Sequence, residues 1–264
     1  MISKTAIIVI THNQKELTDS LCKKLTATKS LYDLFVIETG SRVDAMSSFA
    51  TFWVKDGIRM TRGFNWGIRY ALWKEKIENI RYDSFWLVVN DSFFDEEDVL
   101  TPLVEFMRSD KRCGCIHPFI KNSGSSFQRK KEGSLARKES FVEIVCPLFS
   151  REAIESNLLD DDFYYGWGLD YEIPYILHKN NLALYIHNEV GVLHNPGTTV
   201  RSGKDEHIQD MRQQFDLSRD NMMQVLLKKY GDKWGRIFLD AIPEDVPKDA
   251  FIDWVQNIGQ NYRF

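Results

Sequence analysis

The chain has no glycine-rich turn after its first apolar run and no G-x-G-x-x-G anywhere, so the backbone cradle for a dinucleotide pyrophosphate is missing. It has no P-loop either. No apolar run approaches the ~20 residues of a membrane helix, and "MISKTAIIVITHN" lacks the long apolar region and cleavage site of a secretory signal. The 264 residues hold only four cysteines, and Cys113-Gly-Cys115 has no second pair at zinc-finger spacing. Reduced core thiols and a cytoplasmic location are therefore expected. There is no basic excess: the formal net charge is -4, and the charges are mixed throughout, which speaks against a nucleic-acid partner. The one basic cluster, "QRKKEGSLARK" (128–138), reads as an exposed loop, with a grip on an anionic ligand or membrane surface as the lesser reading.

What is present is an alternation. "AIIVI" (6–10) is a continuous apolar run of the kind buried on both faces of a parallel sheet. "THN" follows as a polar turn, then Leu17, Leu21 and Leu25 recur on one helix face. "LFVIETGS" (34–41) and "SFWLVVNDS" (84–92) are further strands ending in polar clusters. "GFNWGIRYALWKEKI" (63–77) predicts a helix with Trp66, Tyr70, Trp73 and Ile77 on one side, and "EEDVLTPLVEFMRS" (96–109) predicts another. Strands alternating with helices imply an α/β fold with a mainly parallel central sheet. After residue 112 the segments "GCIHPFI", "FVEIVCPLFS" and "ALYIHNEVGVLHN" are strand-like, so an irregular or antiparallel part completes the sheet. The expected division is a core over 1–204 and a C-terminal helical extension over 205–264.

In open α/β sheets ligands bind outside the carboxyl ends of the strands. Three strands end in polar clusters: Thr11-His12-Asn13, Glu38-Thr39-Gly40-Ser41 and Asn90-Asp91-Ser92. Asp91 can offer an oxygen to a hard cation bridging a diphosphate, or can cap a turn. His194, at another strand end, can add a nitrogen ligand or serve as a structural hydrogen-bonder. "FYYGWGLDYEIPYIL" (163–177) sets Asp170 and Glu172 after two glycines and a run of rings. Two residues apart on a helix, the two acids point to different faces. They are either helix-start acids favoured by the dipole or one base with a supporting group beside a sugar-binding wall.

In order, these segments resemble the GT-A glycosyltransferases, particularly the inverting family-2-like and rhamnosyltransferase-like enzymes of polysaccharide synthesis. "AIIVITHNQKEL" is similar to their opening strand and turn, "VIETGS" to their second strand, and "GFNWGIRYAL" to their Gly-x-x-x-Asn-x-Gly helix start. "LVVNDSFF" occupies the place of Asp-x-Asp, "DDDFYYGWGLDYEI" lies over Phe-Phe-x-x-x-Glu-Asp-x-Asp, and "VGVLHNPGTT" matches the terminal His-x-x-Gly. The resemblance covers about residues 5–200. It implies a nucleoside-diphosphate sugar donor held by Thr11, His12, Asn13, Glu38, Gly63, Asn65, Asn90 and Asp91. It also implies Asp170 as catalytic base with Glu172 as second acid, and a sugar or acceptor wall of Tyr165, Trp167 and Gly168. Asp91 and His194 would hold a divalent cation, Mn2+ or Mg2+. The acceptor would be a glycan or a lipid-linked sugar, with peripheral membrane contact. Two departures stand out: Leu169 replaces the first acid of the family's Glu-Asp pair, and Ser92 replaces the last acid of Asp-x-Asp. The second implies either that Asp91 takes the cation or that the metal requirement is weakened. The Asn-Asp-Ser form resembles the rhamnan-synthesis branch, which implies an activated deoxysugar. Competing expectations are a non-catalytic nucleotide-sugar or glycan-binding protein on the same fold, and a sugar-nucleotide pyrophosphorylase, for which "THNQKEL" is a poor match.

Overall fold

The computed structural model describes residues 3–205 and 208–259. Strand β1 (Ser3–Thr11) leads through helix α1 (Lys15–Leu25) to β2 (Tyr32–Thr39) and β3 (Ala50–Val54). Helix α2 (Arg59–Glu78) returns the chain to β4 (Arg81–Val89), which is followed by β5 (Ser92–Phe93), α3 (Leu100–Ser109) and β6 (Cys113–Ile120). Next come β7 (Ala136–Lys138), β8 (Leu148–Ser150), α4 (Arg151–Glu155), α5 (Leu169–Lys179) and β9 (Ala183–His194). Helices α6 (Thr198–Arg201), α7 (Met211–Tyr230), α8 (Trp234–Ala241) and α9 (Asp249–Gly259) complete the described chain.

The sheet order is β3-β2-β1-β4-β8-β6-β9-β5, with β7 paired to β9. The β3-β2-β1-β4 half is parallel throughout, while β8 joins β4 and β6 antiparallel. This agrees with the expected change of rhythm after residue 112. Alternate residues of β1 serve different cores. Ala6, Ile8 and Ile10 pack with α2, α5 and the C-terminal helices, and Ile7 and Val9 pack with α1 and α3. Each fully buried Ile or Val contributes about 1.5–3 kcal/mol. A strand apolar on both faces does not fix its own register, because a one-residue slip exposes nothing. Two glycines of α2 supply the lock. A Cβ on Gly67 would stand 2.4 Å from Ile8 Cγ2, and one on Gly63 would stand 3.0 Å from Ile10 Cγ2.

Three expectations change here. Helix α2 begins at Arg59, four residues before Gly63, so Gly63 is a helix-on-strand contact inside the helix and does not open it. Helix α3 begins at Leu100 and not at residue 96, because Asp98 turns its carboxylate to the backbone N–H of Thr101 and of Lys29. The basic segment 128–138 is partly folded in. Gln128 is buried, and Arg137 donates to Glu139 (2.8 Å) and to the carbonyls of Phe127 and Arg129. The C-terminal helices share the sheet's core, with Met222, Leu226, Trp234 and Phe238 in one apolar cluster with Ile8 and Phe64. Among the described residues no helix is long and apolar enough to cross a membrane.

Candidate active site

At the carboxyl ends of β1 and β4 the chain leaves the sheet through polar residues, whose side chains first satisfy one another. Asn90 Nδ2 donates to Thr11 Oγ1 (3.0 Å) and Thr18 Oγ1 (3.3 Å). His12 Nδ1–H donates to the Thr39 carbonyl (2.7 Å), leaving Nε2 to accept from Asn13 Nδ2 (3.1 Å). These bonds fix the edge of a cavity of about 690 Å³, a size that suits a small ligand. Thr11, His12, Asn90, Asp91, Tyr165, Trp167, Asp170 and His194 all line it.

Asp91 and His194 meet because β5 pairs antiparallel with the end of β9, Ser92 opposite His194. The Asn195 N–H donates to the Asp91 carbonyl (3.1 Å), and Asp91 Oδ1 lies 3.4 Å from His194 Nε2. A carboxylate and an imidazole side by side on a cavity wall form a donor set that suits Mn2+ or Mg2+, with diphosphate oxygens and water completing the shell. The neighbouring Ser92 hydroxyl is buried without a partner. Among the described residues there is no group of three or more His, Cys, Asp or Glu placed to hold a metal.

Asp170 lines the same cavity from the first turn of α5. The Gly168 that precedes the helix has φ +98°, and a Cβ there would stand 2.3 Å from the Phe163 ring, so only glycine fits the turn. Pro174 has no N–H to return to the Asp170 carbonyl. The Asp170 carboxylate accepts from the Ile144 N–H (2.9 Å), and the half-buried side chain opens on the cavity. Burial pushes its pKa up to about 8; the Ile144 bond opposes the shift, and the nearby Glu143 charge adds to it. Glu143 also lines the cavity and is likewise raised by burial, against the pull of His194 and the Ser123 hydroxyl.

Six of the residues expected in the site do not line this cavity. The Glu38 carboxylate is wholly buried, accepting from Ser41 Oγ (2.5 Å) and the Ser47 N–H (2.6 Å), so it shapes the 41–47 loop. Asn13 is spent on the Arg42 N–H and the Lys204 carbonyl, and Asn65 on Leu159 and Asp161. Gly63 lies on the inner face of α2 against Ile10 and Thr39, and Gly168 is pressed between Phe163 and Met222. Glu172 is fully buried on the other side of α5, where Lys229 and Tyr230 (2.6 Å) donate to it. The two acids of α5 thus diverge, as their spacing predicts.

The cavity also contains groups that the sequence reading passed over. Arg59 lies in the left-handed region at φ +54°, an uncommon conformation for a non-glycine residue. Its guanidinium is clamped by Asp205 (2.5 and 3.3 Å) beside the Tyr165 ring. Helix α7 brings Gln214, Phe215 and Arg219 to the cavity, with Phe215 edge-on to Trp167 at 4.9 Å. Glu143 had a legible signal, a lone acid inside the apolar run "FVEIVCPLF". Arg59 and Arg219 had none.

Residues 106–235 match a protein family described as a protein of unknown function, DUF707. No curated protein sequence matches the chain. Among solved structures, the chain is similar to GalNAc-T7 with UDP, GalNAc and Mn2+, at a TM-score of 0.63 and 12% identity over 97% of this chain and 54% of that one. It is also similar to the mannosyltransferase PcManGT from Pyrobaculum calidifontis in complex with GDP-Man and Mn2+, at a TM-score of 0.57 and 13% identity over 96% and 75%. The chain spans about half the length of the first. Both are GT-A glycosyltransferases, and the chain has the GT-A fold.

Proposed function

We propose that the protein is an inverting glycosyltransferase that uses a nucleoside-diphosphate sugar. The observation that carries this reading is the meeting of two chemistries in one cavity, the Asp91–His194 pair at the strand ends and Asp170 at the start of α5. Thr11, His12 and Asn90 bind the nucleoside side of the donor. Tyr165, Trp167 and Phe215 enclose the sugar and exclude water, and Arg219 faces the charge of the leaving diphosphate. Asp170 accepts the proton of the acceptor hydroxyl. The acceptor oxygen then bonds to the anomeric carbon on the face opposite the diphosphate, and the carbon–oxygen bond to the diphosphate breaks with its electron pair. Asp91 and His194 hold a divalent cation, which when bound neutralises charge on the diphosphate. Glu172 holds α7 to α5 and takes no proton. The Asn90-Asp91-Ser92 form supports an activated deoxysugar donor, with a glycan or lipid-linked acceptor in polysaccharide synthesis. Four buried free thiols support a cytoplasmic setting. The division into a transferase core over 1–204 and a helical cover over 205–264 is part of this reading, residues 1–2, 206–207 and 260–264 lying outside the described residues.

The test is thermal-shift titration with UDP, GDP and dTDP, each with and without Mn2+. At least one nucleotide should stabilise the chain more with Mn2+, and Asp91→Ala should remove the Mn2+-dependent part. Nucleotide binding that ignores both Mn2+ and Asp91 would overturn the cation assignment. Donor binding without transfer to any acceptor would favour the non-catalytic alternative.

A further inference from the structure

Helix α2 packs its inner face on β1 and β2 through Gly63, Phe64, Gly67, Ile68 and Ala71. Its outer face carries Arg62, Trp66, Arg69, Trp73 and Lys76, at successive spacings of four, three, four and three residues. Such spacings set side chains in one line along a helix. Trp66 is 47% exposed and Trp73 54%. The two indoles are separated by two turns, about 10.5 Å of helix axis. Trp73 is backed by the nearly parallel Tyr70 ring (5.4 Å, 25°), so it presents its other face outward. The cations alternate with the rings. Asp161 approaches Arg69 only at 3.7 Å, and Arg69 remains 68% exposed.

This line starts at the cavity. Arg59 and Met60, the first residues of α2, line its wall. The Arg62 guanidinium sits 5.1 Å from the centre of the Tyr164 ring, and Tyr164 meets Tyr165, another wall residue, at 5.1 Å.

We infer that the outer face of α2 is a binding track for an extended acidic glycan, the acceptor chain, whose growing end enters the cavity past Tyr165. The C–H faces of its rings pack on Trp66 and Trp73, and its carboxylates meet Arg62, Arg69 and Lys76. The inference rests on the glycosyl-transfer reading and names the acceptor class. A membrane fits this face less well, because an interfacial helix presents a broad apolar floor. Here cations interrupt the rings, and Ile77 is the only aliphatic side chain on the line with large exposure.

The test measures binding of an oligogalacturonate, of its methyl ester (same backbone, charge removed) and of phosphatidylglycerol vesicles to the full chain. The acid should bind more tightly than the ester. The Trp66→Ala/Trp73→Ala double variant should lose roughly tenfold in affinity for the acid. Arg69→Gln/Lys76→Gln should lose about threefold and much of the salt dependence. All four side chains are largely exposed, so the variants should keep the parent's melting temperature. Equal affinity for acid and ester, unchanged binding in both variants, or binding to vesicles in place of the oligosaccharide would each overturn the track. Nucleotide binding read in the same samples separates the two ideas: its absence from the wild type counts against glycosyl transfer, while the oligosaccharide arms judge the track.

Discussion

The two walls of the cavity are built by opposite routes. The strand-end wall is rigid by self-satisfaction: Asn90 bonds Thr11 and Thr18, and His12 bonds the Thr39 carbonyl, tying the ends of β1, β2 and β4 to α1. The helical wall is held by packing behind it, and its one catalytic candidate has a single N–H partner. Burial, opposed by a single N–H bond, is what pushes Asp170 up to about 8, while Glu172, two residues on, is also raised by burial but is paired with Lys229 and Tyr230. Two acids on one helix thus meet different surroundings, one on the cavity and one paired in the core.

The sharpest way to break this comparison is Asp170→Asn. Transfer in a single turnover should fall ~10²–10⁴-fold, with donor affinity nearly unchanged. In the wild type, kcat/KM should rise with pH through about 8 as Asp170 loses its proton, and the variant should lack that limb. Stability gives the opposite sign. Between the ordinary 3.8 and about 8 the folded chain keeps a proton that the unfolded chain releases, so stability falls as pH rises across this window. Urea titrations of Asp170→Asn should show that slope reduced. Near wild-type turnover in the variant would remove Asp170 from the reaction.

Glu172→Gln should act on stability instead. Removing one partner of a fully buried pair costs ~3–5 kcal/mol, and the part-exposed Lys229 reduces the expectation to about 2–3 kcal/mol. A lost rate with unchanged urea midpoint would place Glu172 in the chemistry after all. The smallest effect probes what lies behind the strand-end wall. Gly67→Ala should cost about 1–3 kcal/mol by overpacking against Ile8, with nucleotide affinity preserved in the fraction that folds. An unperturbed melting temperature would show that α2 can lift from β1 without cost.

Much of the first wall was legible. Continuous apolar runs ending in Thr11, Asn90 and Asp91 announce buried parallel strands and therefore a ligand edge at their carboxyl ends. The same logic misplaced Glu38, because a strand-end position says nothing about which neighbours claim the carboxylate; here Ser41 and Ser47 do. Gly63 reads as the start of a helix, and only the contact of Gly63 and Gly67 with Ile10 and Ile8 reveals a packing role. Glu143 could have been found as a charge inside an apolar run. Arg219 sits on an ordinary charged helix and becomes a cavity residue only because α7 docks there.

The sequence by itself determined the strand–helix alternation, the polar strand ends and the divergence of Asp170 from Glu172. All three follow from periodicity, which is local: two residues per strand repeat and 3.6 per helical turn. Tertiary structure alone decided that His194 reaches Asp91, that Glu143 neighbours Asp170 and that helix α7 closes the cavity. Those contacts join segments far apart in the chain, and their geometry is set by how β9 pairs with β5 and by which apolar faces remain to be covered.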